Sequence, residues 1–237
     1  STGAELSIQS AIAGGLGIND RVLVTGGGTV TTVTNGMVPG WLWNATDNQF
    51  LTYGEFGFTN AGYNVVSTGT TTFTMSVTGT GIERLLISGT SQTLSGSLNV
   101  YALRADQSIT GGTVNIASGA VIVGANNPTI SGTVNFGTEA FIHVAAAQTY
   151  TQTGTYSAGS IAKDGAGTFK LNVENGTFTG NIALNQGSLT LTSASTLATT
   201  LVGGSGGTIS MNGYNTTLNL VGGAVGQAFL NNILVPQ

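Results

Sequence analysis

The sequence predicts an all-β solenoid, a coil of short stacked strands, and three observations lead there. A pattern recurs at a fixed spacing: Gly167-Thr168-Phe169-Lys170-Leu171 and Gly187-Ser188-Leu189-Thr190-Leu191 each read glycine, hydroxyl residue, apolar, any, apolar, with their glycines twenty residues apart. Gly207-Thr208-Ile209-Ser210-Met211 stands one period further on, and Gly112-Thr113-Val114-Asn115-Ile116 and Gly132-Thr133-Val134-Asn135-Phe136 form a second pair at the same spacing. A period of this length marks a solenoid. Glycine contributes 38 of the 237 residues and proline only 3, so the glycines punctuate short strands and do not signal collagen or a Pro-rich disordered segment. The apolar residues also alternate over short runs with no helical period; a sandwich would share that feature, but the recurrence favours stacked rungs.

The stretch from Lys163 to Leu191 resembles the passenger-associated repeat of bacterial autotransporters. Lys163, Gly165, Gly167, Thr168 and Leu171 fill the first block of that motif, Asn175, Phe178, Thr179 and Gly180 the second, and Asn185, Gly187 and Leu189 the third. The resemblance implies a right-handed parallel β-helix displayed outside a bacterial cell, and it implies no particular target. By its own spacing the stretch reads as one turn of the coil.

Taken in order, the chain opens with Leu6-Ser7-Ile8-Gln9-Ser10-Ala11-Ile12 and Arg21-Val22-Leu23-Val24-Thr25, two alternating runs that predict two strands around a Gly-rich corner. Within that corner Gly14-Gly15-Leu16-Gly17-Ile18-Asn19 is similar to a calcium-binding nonapeptide, but asparagine stands at the ligand position and no tandem copy completes a cage, so a structural corner is the preferred reading. Between residues 36 and 63 the repeat gives way to an aromatic-rich insertion with Trp41, Trp43, Phe50, Tyr53, Phe56 and Phe58. A rung holds few large rings, so these cap a coil end, pack as a lobe on its flank, or form a binding surface. Gly40-Trp41 and Phe50-Leu51-Thr52-Tyr53 also resemble an element of passenger-like proteins, which favours packing.

Strands return at Phe73–Val77, Leu85–Ile87, Leu98–Val100, Val121–Val123 and Phe141–Val144, separated by Ser-Gly, Gly-Thr and Asn-Pro turns. Equivalent residues of successive rungs lie about 4.8 Å apart, so threonine and asparagine can line up in hydrogen-bonded ladders where charges would repel. Ten or eleven rungs at that spacing predict a rod of roughly 50 Å. The segments 208–220 and 231–237 are again rung-like, with no polar cap in sight, and solenoid ends normally need one.

Charged residues make up 6% of the chain, against about 25% in ordinary globular domains. Five cations face nine acids, and most cations have an acid beside them: Asp20-Arg21, Glu83-Arg84, Arg104 with Asp106, Lys163-Asp164. Only Arg104 and Asp106, two apart, share a strand face and are expected to pair directly. No basic stripe remains for nucleic acid. Zero cysteine excludes disulfides, thiolate nucleophiles and Cys-type zinc sites. No run of about 18 apolar residues offers a membrane span, and with no basic leader region the chain reads as a mature or excised segment.

A polysaccharide lyase or hydrolase would need clustered acids or two facing carboxylates. The nine acids, Glu5, Asp20, Asp47, Glu55, Glu83, Asp106, Glu139, Asp164 and Glu174, suggest no such stack. His143, the only histidine, alternates with Ile142 and Val144 and is read as a satisfied surface or ladder residue. Three glycosylation sequons, at Asn44, Asn175 and Asn215, are expected by chance in a chain this rich in asparagine and threonine.

The residues predict a non-enzymatic protein without cofactor, and the resemblance to the passenger-associated repeat implies an extracellular place at the bacterial cell surface. As a fibre subunit it would stack head to tail on copies of itself, through ends carrying Leu6, Ile8 and Ile12 on one side and Ile233, Leu234 and Val235 on the other. As an excised adhesin passenger segment it would present Trp41, Trp43, Phe50, Tyr53 and Phe56 to a glycan or host protein.

Overall fold

The computed structural model describes residues 6–25, 31–66, 81–172, 176–178, 181–193, 208–211, 216–222 and 232–234. The strand expected at Phe73–Val77 lies outside them. From Asn64 onward the chain builds three parallel sheets, of nine, seven and five strands, and visits them in rotation. One circuit runs through Ala102–Ala105 in the nine-stranded face, Ile109–Thr110 in the seven-stranded face and Thr113–Ile116 in the five-stranded face; the next runs through Ala120–Val123, Thr129–Ile130 and Thr133–Asn135. Parallel neighbours reached by a full circuit of the chain make a β-solenoid. The predicted strands fall within Arg84–Ile87, Ser97–Val100, Ala120–Val123 and Glu139–Val144. Two-residue strands such as Gln92–Thr93 were not foreseen, because two residues carry no period.

The repeat sets the register. Thr113, Val114 and Asn115 pair with Thr133, Val134 and Asn135, and Phe169 and Leu171 pair with Leu189 and Leu191. From Lys163 to its partner Leu184 the chain makes one turn, as the spacing predicts. The next copy departs from expectation. Ile209 pairs with Ile182 on the nine-stranded face, and the partner of Leu189 is Leu218, twenty-nine residues on. Glycine, hydroxyl, apolar, any, apolar suits every face equally, so the pattern finds strands without saying to which face each belongs.

Among the described residues the longest sheet has nine levels, against the ten or eleven expected, and the four strands between Leu6 and Asn60 belong to a separate sheet. At about 4.8 Å per level this corresponds to roughly 43 Å along the axis.

Inward-facing residues of the three faces form one apolar core. In it the rings of Tyr150 and Phe169, on adjacent levels, stack with centroids 5.0 Å apart. Among the described residues Gln92, Gln152 and Lys163 carry polar groups into this interior, and the last two end at corners. The Gln152 amide donates to the carbonyls of Gly132, Gly154 and Thr155. The fully buried Lys163 ammonium donates to the carbonyls of Gly165, Gly167 and Gln186. The corner it holds depends on glycine: Gly165 has φ +80°, and a Cβ there would lie 2.3 Å from the Val144 carbonyl oxygen.

On the outer side of the five-stranded face the expected ladder is present. Asn115 Nδ2 donates to Asn99 Oδ1 at 2.7 Å, Asn135 Nδ2 to Asn115 Oδ1 at 2.6 Å, and Ser157 Oγ to Asn135 Oδ1 at 2.9 Å. Side-chain hydrogen bonds, and not charge pairs, join successive rungs here.

Residues 6–60 supply a separate four-stranded sheet. Leu6–Ile8 runs parallel to Leu42–Asn44, which pairs antiparallel with Gln49–Gly54, and that strand pairs antiparallel with Gly57–Asn60. This sheet has its own small core of Leu16, Val38, Leu42, Leu51 and Phe58. The strand expected at Arg21–Thr25 does not form. Its backbone is used singly: Val22 O accepts from Phe58 N–H, and Val24 N–H donates to Tyr53 Oη.

Candidate functional site

Alternation along the nine-stranded face decides where this lobe sits. Inward residues such as Leu103, Val121 and Ile142 enter the solenoid core, leaving Ala102, Ala120, Ile122 and His143 pointing outward. The two alanines are small enough for a second layer to approach. Met37, Trp43 and Phe50 bury themselves against Ala102, Ala120 and Ile122. Gly40 brings the lobe backbone close to the solenoid: a Cβ on it would come within 2.6 Å of the Ala120 methyl.

Trp43 anchors the seam. Its ring stacks on His143 at 4.1 Å with planes 26° apart, and its Nε1–H donates to Asp164 Oδ2 at 3.1 Å. Around it lies a polar rim. Arg104 pairs with Asp106 at 2.9 Å, as the sequence predicts, and reaches the Asn48 carbonyl with a second nitrogen. Tyr63 Oη accepts from the Phe50 N–H, and burial pushes its phenol up to about 12. Arg84 grips the far edge, donating to the carbonyls of Gly62 and Asn35. Asn35 and Gly36 have φ 50° and 73° between the bridged residues Thr34 and Met37, a tight turn of the Asn-Gly kind.

Where the turn and Gly40 meet the solenoid, a cleft of about 340 Å³ opens. Trp41, Tyr101 and Phe141, each half-buried, supply three aromatic walls, and Thr32, Thr34 and Ser118 supply hydroxyls. A second groove, of about 460 Å³, runs along the asparagine ladder of the five-stranded face. Its Asn99, Asn115 and Asn135 amides are engaged with one another.

The predicted recognition residues separate. Trp43 and Phe50, 3% and 0% exposed, are interior residues of the seam and present no ring to a partner. This corrects their place in the recognition surface; both occupy positions whose neighbours are the alanines of the solenoid flank. Tyr53 is half-buried, edge-on to Phe58. Phe56 is exposed, with the Arg21 guanidinium over its ring at 5.0 Å. Trp41 alone of the five lines the cleft. Tyr101 and Phe141 were missed, although Phe141 is legible in retrospect: it shares the outward alternation of His143, between the inward Ala140 and Ile142.

The predicted end residues separate as well. Leu6 and Ile12, 52% and 55% exposed, and the half-buried Ile8 belong to the lobe and not to an end of the solenoid. Leu6-Ser7-Ile8 finds its partner in Leu42–Asn44. Ile233 and Leu234 do lie in the last strand of the longest sheet, Asn232–Leu234, while Val235 lies outside the described residues.

His143 is buried and not at the surface. Desolvation holds its imidazole well below the usual histidine range, the Lys163 charge adds to that lowering, and a hydrogen bond with the Gly40 backbone opposes both. The facing charged groups are Asp164 on the next strand of the outer face and Lys163 on the inner side. A histidine kept neutral by the fold contributes its full share of stability above its unfolded pKa of 6.5 and loses it as pH falls from there toward the lower folded value, at about 1.4 kcal/mol per pH unit. It is the only histidine, so denaturant midpoints at pH 7.5 and 5.0 are expected to differ in the wild type and to converge in His143→Phe. An equal shift in both proteins would place the acid sensitivity elsewhere.

Two carboxylates of the lobe, Asp20 and Asp47, are committed to structure. Asp20 accepts from Ser10 Oγ and Ala11 N–H, which lowers its pKa. Asp47 accepts from Asn44, Asn60 and the Gly14 amide. The corner around Gly14–Asn19 is closed by its own backbone, with the Gly15 carbonyl accepting from the amides of Ile18, Asn19 and Asp20. Among the described residues no three acidic or histidine side chains gather as a metal site would require. No helix of the described residues is long and apolar enough to cross a membrane. No protein family, no characterised protein and no solved structure matches the chain.

Proposed function

We propose that the chain is a non-enzymatic structural protein of the bacterial cell exterior, a solenoid subunit that joins copies of itself end to end into a fibre. The observation that carries this reading is how the longest sheet finishes. Asn64–Val66 at one end and Asn232–Leu234 at the other each pair with one neighbour, and among the described residues no strand lies along their outer edges. An unpaired edge is a template for another strand. With charged residues at 6%, little repulsion opposes such a contact, and head-to-tail joining of this kind does not close. The structural commitment of Asp20, Asp47, Asp106 and Asp164 supports a role without catalysis, and the resemblance of Lys163–Leu191 to the autotransporter passenger repeat supports the exterior.

The test is electron microscopy of the purified chain over a wide concentration range. Filaments are expected with an axial repeat near the roughly 43 Å that nine levels occupy. Val65→Pro, at a position 56% exposed on the first strand, and Ile233→Pro on the last are each expected to stop assembly while circular dichroism stays β-like. Discrete rods at every concentration, or filaments indifferent to both substitutions, would overturn the reading. A second reading, an adhesive passenger segment, is favoured by one observation, the aromatic cleft beside Trp41.

A further inference from the structure

We infer that the cleft between lobe and solenoid is a binding site for a neutral sugar, one pyranose unit of a polysaccharide, held between Trp41, Tyr101 and Phe141. This does not depend on fibre formation. A pyranose ring has an apolar face made by its axial C–H groups and a polar rim of hydroxyls. The cleft offers both counterparts: three half-buried aromatic rings, and beside them a polar edge of Thr32, Thr34 and Ser118, the last with its Oγ already donating to the Tyr101 carbonyl. Its volume of about 340 Å³ falls at the small end of ligand sites, which span about 300–1,000 Å³.

The lining also discriminates. Among the described residues lining the cleft there is no acid, lysine, arginine or histidine. A phosphate, a sulfate or a uronic acid would therefore be desolvated with no cationic partner. A neutral polyhydroxylated ring incurs no such penalty.

The walls are fixed before a ligand arrives. Arg84 ties the Asn35-Gly36 turn that carries Thr34 to the solenoid. Gly40, pressed on Ala120, fixes the backbone immediately before Trp41. Ser118 Oγ donates to the Tyr101 carbonyl, joining the segments that carry two of the walls. Little ordering is left to oppose binding, so a shallow site of this size can hold a sugar at all.

The experiment uses the whole chain with cellohexaose, mannohexaose and chitohexaose as neutral probes and hexagalacturonate as the charged one, read by saturation-transfer NMR and calorimetry. At least one neutral oligomer is expected to receive magnetisation from aromatic protons and to bind with a dissociation constant on the order of 1 mM. Trp41→Ala and Tyr101→Leu are each expected to weaken that binding at least about tenfold, with Phe56→Ala, at an exposed ring outside the cleft, unchanged. If Trp41→Ala does not fold, Tyr101→Leu decides alone. The inference is overturned by failure of all three neutral oligomers to bind, by binding confined to the uronate, or by a neutral affinity that survives in a folded cleft variant.

Discussion

Lys163→Met is expected to lower the free energy of unfolding by about 3 kcal/mol, since orphaning a buried acceptor costs about 1–3 kcal/mol and the Gly165 and Gln186 carbonyls lose the lysine as donor, while Gly167 O keeps the Ser188 N–H. The ammonium lies inside the solenoid, where the carbonyls of Gly165, Gly167 and Gln186 converge on it. Methionine fills most of the same volume and removes the cost of burying a charge, which offsets part of the loss. It supplies no donor, and the corner geometry, set by Gly165 and by Gly187 at φ +73°, leaves the carbonyls aimed inward. For a chain of this size the expected fall in Tm is about 6–12 °C. Lys170→Met is the control: it makes the same change of charge at an exposed position on the adjoining strand and should stay within about 0.5 kcal/mol of the wild type. Thermal melts of the two variants decide the matter. Equal melting temperatures would mean that water or backbone adjustment satisfies the corner without the lysine.

Trp43→Ala is expected to cost about 3–5 kcal/mol, the range for removing a fully packed large aromatic side chain. It deletes the stack on His143 and the bond to Asp164, and it opens the layer between the lobe and the alanines of the solenoid flank. The loss should be local. Hydrogen exchange is expected to rise through residues 42–60 while the amides of the three-sided core keep their protection, because the two regions bury separate sets of side chains. The His143 resonance supplies an independent reading: once uncovered, its imidazole should titrate close to 6.5 and no longer well below it. Trp41→Ala, by contrast, removes a half-buried ring at the rim and should leave both protection and the histidine titration nearly unchanged. If the two tryptophans proved equivalent, the division between a packing ring and a cleft ring would fail.

His143 and Trp43 also show where sequence reading reaches its limit. Alternation places His143 opposite Ile142 and Val144, and the structure agrees. Alternation does not say that the outer face at this level is covered, because the cover is Trp43, one hundred residues earlier in the chain. The same limit applies to the candidate cleft. Trp41 stands out in an aromatic-rich run, but Tyr101 and Phe141 sit on separate rungs, and only the superposition of rungs brings the three rings to one opening.

Features that repeat, or that are local in the chain, were legible in the residues. The glycine-punctuated period gave strands, the parallel pairing of Val114 with Val134 and of Phe169 with Leu189, the asparagine ladder, and the Arg104–Asp106 pair. Each follows from a spacing of two along a strand or of one rung between strands. The tertiary structure alone decided the assignment of strands to faces, the burial of Lys163, and the docking of residues 6–61 on the flank. The physical reason is that a rung pattern repeats on every face, and a corner or a docking surface is made by residues whose separation in the chain follows no period.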